Sequence, residues 1–474
     1  MRQRGRDAGQ AFDVERHGTD FIPLHERWAS ARDLGAMWAG ASTNVEYLVY
    51  GAILATFGFS FSQCVALIVI GNLSYLLVGL SSLQGPKTGT TVFTINKAAF
   101  GVHGSRPLAA MNWLTQLGFE TEGMILIVGA AISLLTMAGF DLSQTAKFAV
   151  IVVSVAAQVI LPYFGHATMV KVLRLMALPF IVGYLVFAVF ASQHSHLANE
   201  QVGAGWQLWL IGLAFTITLS GLGWTENGND YSRYLPPETS PKKIVGWVFL
   251  ATALPQTLIM IIGVAVATFL GGAAEWKGAN PFTAFTGAHQ VLPHWFSASF
   301  LLLCIFQLLC INSLDLYSSS VSLQALGLKI TRGRAVLLDS GLVLMLTSYA
   351  IFSSSFSVLL KDFVILVICW ISPWVAIFLT DWLLRRRHYE PAALQSKDRS
   401  GIYWGGPGGI HWPAFGAQII GSALALMAVN NPALLVGPLA SWSGTDLSIP
   451  LSLVAASASY LGLVALEARM RSRN

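Results

Sequence analysis

Seven carboxylates stand inside long apolar stretches of this chain, and they are the side chains most capable of chemistry. They are Glu46, Glu120, Glu122, Glu226, Asp230, Asp315 and Asp381. If these stretches lie in a bilayer, each charge is costly, so each carboxylate is expected to face a cavity or a polar partner. Because burial disfavours the ionised form, a carboxyl in such a place is suited to carrying a proton.

Glu120 and Glu122 are only two residues apart, which limits what they can do together. On a helix their side chains diverge by about 200°, so the two carboxylates cannot face one cavity. We expect one of Glu46, Glu120 and Glu122 to couple the protein's activity to protons. The alternative for each is a protonated group with a purely structural hydrogen bond.

Three further carboxylates are interpreted from their neighbours. Asp230 precedes Arg233 near the predicted cytoplasmic end of a helix and is expected to pair with it, which favours a structural role. Asp381 lies just before Arg385 and is expected at the membrane interface. Asp315 lies at mid-membrane depth, and a functional and a structural role remain equally open for it.

Two glycine-rich polar patches occur where an ordinary membrane helix would be apolar throughout. One covers residues 38–46 and the other residues 220–230. Glycine and small polar residues permit a helix to unwind, and backbone groups freed in this way can bind ions or substrate. Non-helical backbone at this depth is tolerated only beside a cavity or within protein. The alternative is that the small residues mark close helix–helix contacts.

The composition indicates that membrane helices carry these residues. Of the 474 residues, 54% are hydrophobic and 11% charged, with a mean hydropathy of +0.62. A soluble domain carries about 25% charge, so a soluble globular protein, a disordered chain, a collagen and a disulfide scaffold are excluded. His194 and His196 are too few for a metal site, and no metal or cofactor is predicted. The four cysteines, interpreted as small buried hydrophobes, are Cys64, Cys304, Cys310 and Cys369.

Hydrophobic runs predict twelve membrane-spanning segments. All must be helical, because a backbone in lipid has to satisfy its own hydrogen bonds. The runs are continuous and do not alternate, which excludes a β-barrel. The predicted spans are 33–58, 60–84, 107–138, 145–164, 172–192, 206–231, 243–271, 294–326, 334–353, 357–383, 410–430 and 448–468.

The basic residues predict the orientation of these spans. With the N-terminus inside, only Lys147, Lys277 and Lys361 of the 28 Lys and Arg fall outside. Such asymmetry predicts that both termini are cytoplasmic and that the protein lies in the cytoplasmic membrane. Residues 1–30 and 469–474 are then cytoplasmic tails. The net charge of +5 is explained by orientation, and no nucleic-acid partner is predicted.

The two polar patches lie in spans one and six, which are five spans apart. This is the relation expected if spans one to five and six to ten are inverted repeats, as in many transporters. Other classes are less well supported. No HExxH or GxSxG in a suitable context indicates an intramembrane enzyme, the short tails leave no output domain for a sensor, and no repeated pore loop indicates a channel.

Several motifs resemble those of the nucleobase–cation symporter family, also called the purine–cytosine permease family. The clearest is GPKTG followed by AFGVHGS, and DYSRYLP after span six, LYSS in span eight and GIHWPA before span eleven also fit. The resemblance covers about residues 30–465, and it is the order of the motifs that is specific. They occupy residues 85–89, 99–105, 230–236, 316–319 and 409–414.

The resemblance implies an all-α integral membrane transporter with about twelve transmembrane helices in a leucine-transporter-type five-plus-five inverted repeat. The single transporter domain would cover residues 31–468, with repeats at about 33–192 and 206–383 and two extra helices at about 410–468. It also implies import of a nucleobase or related small heterocycle, driven by a cation, between spans one, three, six and eight. Carried over by position, the substrate contacts are Asn44, Gln116, Phe119, Ser220, Gly221 and Asn312.

Departures from the family pattern bear on the ion and the substrate. Where sodium-coupled members present two hydroxyl residues in span eight, this chain has Cys310 and Ile311, poor ligands for a hard cation. Backbone oxygens of Gly40 and Thr43 remain available, but the incomplete site favours H+ over Na+.

The stacking positions also depart from the family pattern. Phe119 stands where bacterial cytosine permeases have Trp, and Trp224 is expected to supply the second stacking face instead of Gly221. The substrate is therefore expected to differ from plain cytosine. A vitamin-type heterocycle and a hydantoin- or allantoin-like compound are the alternatives.

Overall fold

The computed structural model describes residues 18–160, 166–196, 204–270, 276, 278, 280–285, 292–353, 356–432 and 434–472. Residues 1–17, Lys277 and Arg473 therefore lie outside the described residues, as does the side chain of Lys361.

Within the described residues, the first half of the chain forms ten α-helices, several of them short. The short helices form where Gly, Ser, Asn or Thr interrupts an apolar run of the sequence. In chain order the ten helices are α1 (Ala31–Ser42), α2 (Val45–Ala55), α3 (Phe61–Asn72), α4 (Tyr75–Ser81), α5 (Gln84–Thr88), α6 (Val92–Ile95), α7 (Lys97–Phe100), α8 (Ser105–Met137), α9 (Gln144–Gln158) and α10 (His166–His194).

The second half adds ten α-helices among the described residues, with a small antiparallel hairpin, β1 (Asn430–Asn431) and β2 (Leu435–Val436). The helices are α11 (Trp206–Thr218), α12 (Gly228–Ser232), α13 (Pro241–Val266), α14 (His294–Ala325), α15 (Arg332–Ser353), α16 (Phe356–Leu384), α17 (Pro391–Gln395), α18 (Trp412–Ala428), α19 (Pro438–Ser443) and α20 (Ser448–Arg471). Short 3-10 helices lie at Leu24–Glu26, Leu222–Asn227, Pro281–Phe285 and Pro407–Gly409.

Ten helical stretches in the described part of the chain are long and apolar enough to cross a membrane. The other two predicted spans, the first and the fourth, coincide with the shorter apolar helices Val45–Ala55 and Gln144–Gln158. The first is short because the chain breaks after α1. The twelve-span count and the inverted repeat remain predictions.

The long helices pack in two groups that position the polar residues. The third and eighth predicted spans, α8 and α14, lie along each other over most of their length, and α13 packs on both halves of the first span, α1 and α2. The predicted extra helices α18 and α20 pack on each other and on α16. The polar residues of α8 and α14 therefore face each other inside the bundle.

Asp381 in the last turn of α16 belongs to a buried network. Its side chain is only 2% exposed. It pairs with Arg385 at 3.0 Å and accepts hydrogen bonds from Tyr389 at 2.8 Å and Tyr460 at 2.6 Å. The neighbouring carboxylate raises the pKa of Arg385 despite the opposing effect of burial. Because Tyr460 lies on α20, this network connects α20 to α16.

Residues 18–29, which we call the N-terminal strap, pack against the segment after α4 and against Arg233 and Tyr234. Ile22 is fully buried, and its N–H donates to the Gly89 carbonyl at 2.8 Å. Arg27 donates to the Pro86 carbonyl at 2.6 Å, and Arg233 donates to the Gly18 carbonyl at 2.6 Å. The end of the predicted tail is thus part of the folded structure.

Candidate functional site

The first predicted span is broken at its polar patch. Helix α1 ends at Ser42, and Thr43 and Asn44 have non-helical backbone before α2 begins at Val45. Asn44 caps α2, because its Oδ1 accepts from the Glu46 N–H at 3.1 Å. Its Nδ2 also donates to the Glu46 carboxylate at 2.9 Å. The structure therefore makes Asn44 a helix cap that fixes one of the predicted coupling carboxylates.

The sixth predicted span is interrupted as well. A turn follows α11, the 3-10 helix Leu222–Asn227 comes next, and α12 begins at Gly228. The Gly221 N–H donates to Ser74 Oγ at 2.9 Å, and a Cβ on Gly221 would lie 2.3 Å from the Ser74 carbonyl carbon. Ser220 Oγ accepts from Gln256 Nε2 at 2.7 Å. The structure thus places Ser220 and Gly221 at contacts with neighbouring helices.

Phe119 of α8 and Trp224 of the 3-10 helix form a parallel aromatic pair. Their ring centroids are 6.3 Å apart and their planes differ by 11°. Trp38 meets Trp224 edge-on at 5.6 Å, and Phe363 meets Phe119 edge-on at 4.7 Å. These edge contacts hold both rings in orientation, and each ring offers a face on which a planar ligand can stack.

An amide and a carboxylate lie next to this aromatic pair. Gln116, one turn before Phe119 on α8, donates from Nε2 to Glu226 at 3.0 Å and to Asn227 Oδ1 at 3.3 Å. Gln116 Oε1, Glu226 Oε2 and Asn227 Nδ2 are buried and have no hydrogen-bond partner among the described residues. The cluster can therefore both donate to and accept from a ligand.

Sequence reasoning did not assign Glu226 and Asn227 to the site. Both lie in the second polar patch, two and three residues after Trp224. That patch was the available signal, but it contains eleven residues and does not say which of them face Gln116. Their assignment needs the distance between α8 and the 3-10 helix, which only the fold provides.

Glu122 faces the broken first span. The Tyr50 hydroxyl donates to Glu122 Oε1, and Tyr50 lies one turn after Glu46 on α2. Residues four apart share a helix face, so Glu46 and Glu122 are on the same side of α2. Glu46 is 8% exposed and Glu122 5% exposed. Neither forms an ion pair within the described part of the chain.

Glu120 points to a different network, as its spacing from Glu122 predicts. Its Oε1 accepts from Gln158 Nε2 of α9 at 2.8 Å. Asn312 of α14 donates to the Glu120 backbone carbonyl at 2.9 Å and to Gln158 Oε1 at 3.3 Å. Asn312, the predicted span-eight contact, thus joins three helices at this point.

Gly123 lacks a side chain, and this allows the Glu46 and Asn312 side chains to pack against the backbone of α8. A Cβ at position 123 would lie 2.1 Å from Asn312 Oδ1 and 3.1 Å from Glu46 Oε1. No larger residue fits without moving one of them. The two predicted classes, substrate contact and coupling carboxylate, are therefore adjacent here.

Gln307 of α14 ties the break in the first span to two other helices, and sequence reasoning missed it. Its Oε1 accepts from the Val45 N–H at 3.0 Å and from the Tyr184 hydroxyl of α10 at 2.8 Å. Gln307 is 2% exposed, and its Nε2 has no partner among the described residues. The only signal in the sequence is one amide in an apolar run, three residues before Cys310.

The residues weighed for a sodium site pack against their neighbours. Gly40 packs against Leu173, because a Cβ there would lie 2.8 Å from the Leu173 Cβ. Thr43 Oγ1 donates to the Ala39 carbonyl at 2.7 Å, and Cys310 and Ile311 are buried. Among the described residues, no group of three or more His, Cys, Asp or Glu is arranged to hold a metal ion.

Asp230 and Asp315 have different surroundings. Asp230 Oδ1 accepts from the Val92 N–H at 2.9 Å, which holds the loop after span two against α12. Arg233, its expected partner, donates to the Tyr317 hydroxyl at 2.6 Å. Asp315 is 3% exposed, and its Oδ1 has no partner within the described residues.

Long apolar helices interrupted around buried polar residues are typical of multi-pass membrane transporters, and two solved structures share this fold. MHP1, a nucleobase-cation-symport-1 family transporter closed with bromovinylhydantoin bound, aligns with a TM-score of 0.78 and 16% identity over 96% of both chains. Its inward-facing form aligns with a TM-score of 0.74 and 15% identity over 97% of this chain and 96% of that one. The predicted all-α, leucine-transporter-type fold class is thereby confirmed.

The family follows from the sequence itself. Residues 21–446 match the family described as "Permease for cytosine/purines, uracil, thiamine, allantoin", and the chain belongs to this family, as its motifs predicted. YxlA of Bacillus subtilis is 27% identical over 97% of both chains. The purine-cytosine permease fcyB of Emericella nidulans is 24% identical over 98% of this chain and 90% of its own. The vitamin B6 transporter TPN1 of Saccharomyces cerevisiae is 21% identical over 80% of this chain and 67% of its own.

Proposed function

We propose that this permease imports a small planar, nucleobase-like heterocycle by symport with protons, through alternating access. The observation that carries the proposal is the parallel pair Phe119 and Trp224 beside the Gln116–Glu226–Asn227 cluster. A heterocycle with ring nitrogens and carbonyls needs an aromatic face and both donors and acceptors at its edge. This arrangement supplies all three within one turn of α8 and one 3-10 helix.

Proton coupling is supported by the carboxylates and by the lack of good sodium ligands. Glu46, Glu120 and Glu122 are buried and form no ion pair within the described residues, so a proton is the simplest charge to neutralise each of them. Cys310 and Ile311 offer no oxygen side chain to a hard cation. A membrane orientation with both termini cytoplasmic is part of the same proposal, and the inward proton gradient gives uptake its direction.

A second candidate substrate class is a vitamin-type heterocycle. The vitamin B6 transporter TPN1 is similar over most of this chain, and the family description includes thiamine and allantoin. Glu226 favours this class over an ordinary nucleobase, because its partnerless Oε2 can accept from a basic or cationic ring. Hydantoins are the third class, since bromovinylhydantoin is bound in the similar structure of MHP1.

The test is uptake into proteoliposomes of labelled cytosine, adenine, uracil, allantoin, pyridoxine, thiamine and benzylhydantoin. Each compound is offered with an inward proton gradient, an inward sodium gradient or neither. We expect one class to accumulate with the proton gradient alone. Accumulation that requires sodium would overturn the proton coupling, and accumulation of none would overturn the substrate proposal.

Variants of the aromatic pair identify the site. Phe119→Ala is expected to weaken apparent affinity by about 5- to 150-fold, since stacking of a base on an aromatic residue contributes about 1–3 kcal/mol. Trp442→Ala is the matched control, because Trp442 is 86% exposed and belongs to neither the aromatic pair nor the polar cluster. An unchanged affinity in Phe119→Ala would remove this pair from the site.

A further inference from the structure

A small cavity opens between α8, α15 and α16, next to Glu122. Its volume is about 150 Å³, which is the size of an engineered protein cavity that stays dry and binds benzene. The wall is mostly apolar and includes Ile125, Leu346, Leu360 and Phe363. One ring of six atoms therefore fills it.

The cavity leads from the surface of the bundle to a buried carboxylate. At its mouth Leu346 is 41% exposed and Tyr349 57% exposed, whereas inside it Leu360 is 3% and Glu122 5% exposed. The mouth lies on Gly333–Ser353, a stretch long and apolar enough to span a membrane. A ligand therefore reaches this cavity from the bilayer.

Half of the Glu122 carboxyl group has no partner. Oε1 accepts from the Tyr50 hydroxyl, while Oε2 is buried and has no hydrogen-bond partner among the described residues. A buried polar oxygen without a donor costs free energy, which a ligand with an N–H group would recover. Bonds from an ammonium to a carboxylate are the stronger kind.

We propose that this cavity binds a small monocyclic amine from the bilayer, with its ring among the apolar residues and its nitrogen donating to Glu122 Oε2. The site differs from the aromatic pair, although Phe363 touches both Phe119 and the cavity. If Glu122 carries the coupled proton, which rests on the proposed function, the amine competes with that proton and inhibits uptake.

Fluorine NMR on the purified full-length protein in detergent tests the site without any transport assay. The probe is 4-fluorobenzylamine, and 4-fluorobenzyl methyl ether is the comparison because it has the same ring and no donor. We expect saturable broadening of the amine signal and an affinity at least about tenfold weaker for the ether, which corresponds to about 1.4 kcal/mol. Equal affinities, or no saturable binding of the amine, would overturn the proposal.

Two substitutions on the exposed face of α15 test the site without disturbing the buried core, so the variants are expected to fold. Leu346→Trp fills the mouth and is expected to abolish binding of the amine. Leu337→Trp is the matched control, since Leu337 is 65% exposed on the same helix and does not line the cavity. Glu122→Gln should reduce the preference for the amine over the ether to less than about twofold. Binding that survives Leu346→Trp would contradict the site, whatever the substrate of the permease proves to be.

Discussion

Glu120 and Glu122 diverge from one helix into two networks, so separate substitutions isolate their roles. Glu122→Gln keeps an oxygen that can accept from Tyr50 but cannot carry a proton. We expect uptake by Glu122→Gln to lose its stimulation by an inward proton gradient, while exchange of substrate without a gradient continues. The measurement is initial uptake rate against external pH in proteoliposomes.

Glu120→Gln is the matched comparison. Its amide oxygen still accepts from Gln158 Nε2, and Glu120 does not face α2. The pH profile of this variant should therefore follow that of the unsubstituted protein. A normal profile in Glu122→Gln together with a lost one in Glu120→Gln would reverse the assignment.

Gly123 is a residue at which one methyl group decides packing. Gly123→Ala places a carbon 2.1 Å from Asn312 Oδ1, and overpacking of this kind costs about 1–3 kcal/mol. We expect a lower melting temperature in detergent. Gly246→Ala on α13 is the control, because a Cβ there meets nothing within 4 Å and alanine is the better helix former. Equal melting temperatures for the two variants would show that α14 adjusts at no cost.

Gln307 acts at the scale of elements, since it joins α2, α10 and α14. Gln307→Leu leaves the Val45 N–H and the Tyr184 hydroxyl without their acceptor. Each buried unsatisfied donor costs about 1–3 kcal/mol, so the variant should be clearly destabilised. Tyr184→Phe removes one of the two donors, and the double variant should be less unstable than the sum of the single variants. Thermal unfolding in detergent measures all three, and simple additivity would mean that the two side chains act independently.

The interrupted helices were predictable from sequence, and the partners of their residues were not. Glycine and polar residues at 38–46 and 220–230 predict unwinding because the apolar helix signal stops there. The same composition also predicts close helix–helix contacts, and the structure contains both features. The first patch unwinds, with Asn44 capping α2, and in the second patch Gly221 packs closely on Ser74. Pairs such as Gln307 with Val45 are 262 residues apart in the chain. No local pattern records a contact of that separation.

At the scale of the whole molecule, the orientation in the membrane is the largest prediction that rests on charge alone. We expect Thr145→Cys, in the first turn of α9, to react with a membrane-impermeant maleimide added to intact cells. Lys397→Cys, in the loop after α17, should react only after the cells are opened. Both residues are exposed. The native Cys64, Cys304 and Cys310 are buried, and the half-buried Cys369 is replaced by Ser in both variants to remove background labelling. The opposite pattern would overturn the predicted orientation.

The N-terminal strap has a consequence for the order in which the protein is made. It is synthesised before the helices that it contacts, and its first partners, Pro86 and Gly89, follow directly after the first two predicted spans. Its other partners come much later, since Arg233 donates to the Gly18 carbonyl and Gln395, 376 residues after Thr19, donates to the Thr19 carbonyl at 3.5 Å. Docking of the strap therefore proceeds in stages, and the stages that close the longest loops wait for the later helices. A nascent chain that stops before α17 lacks the last of these contacts.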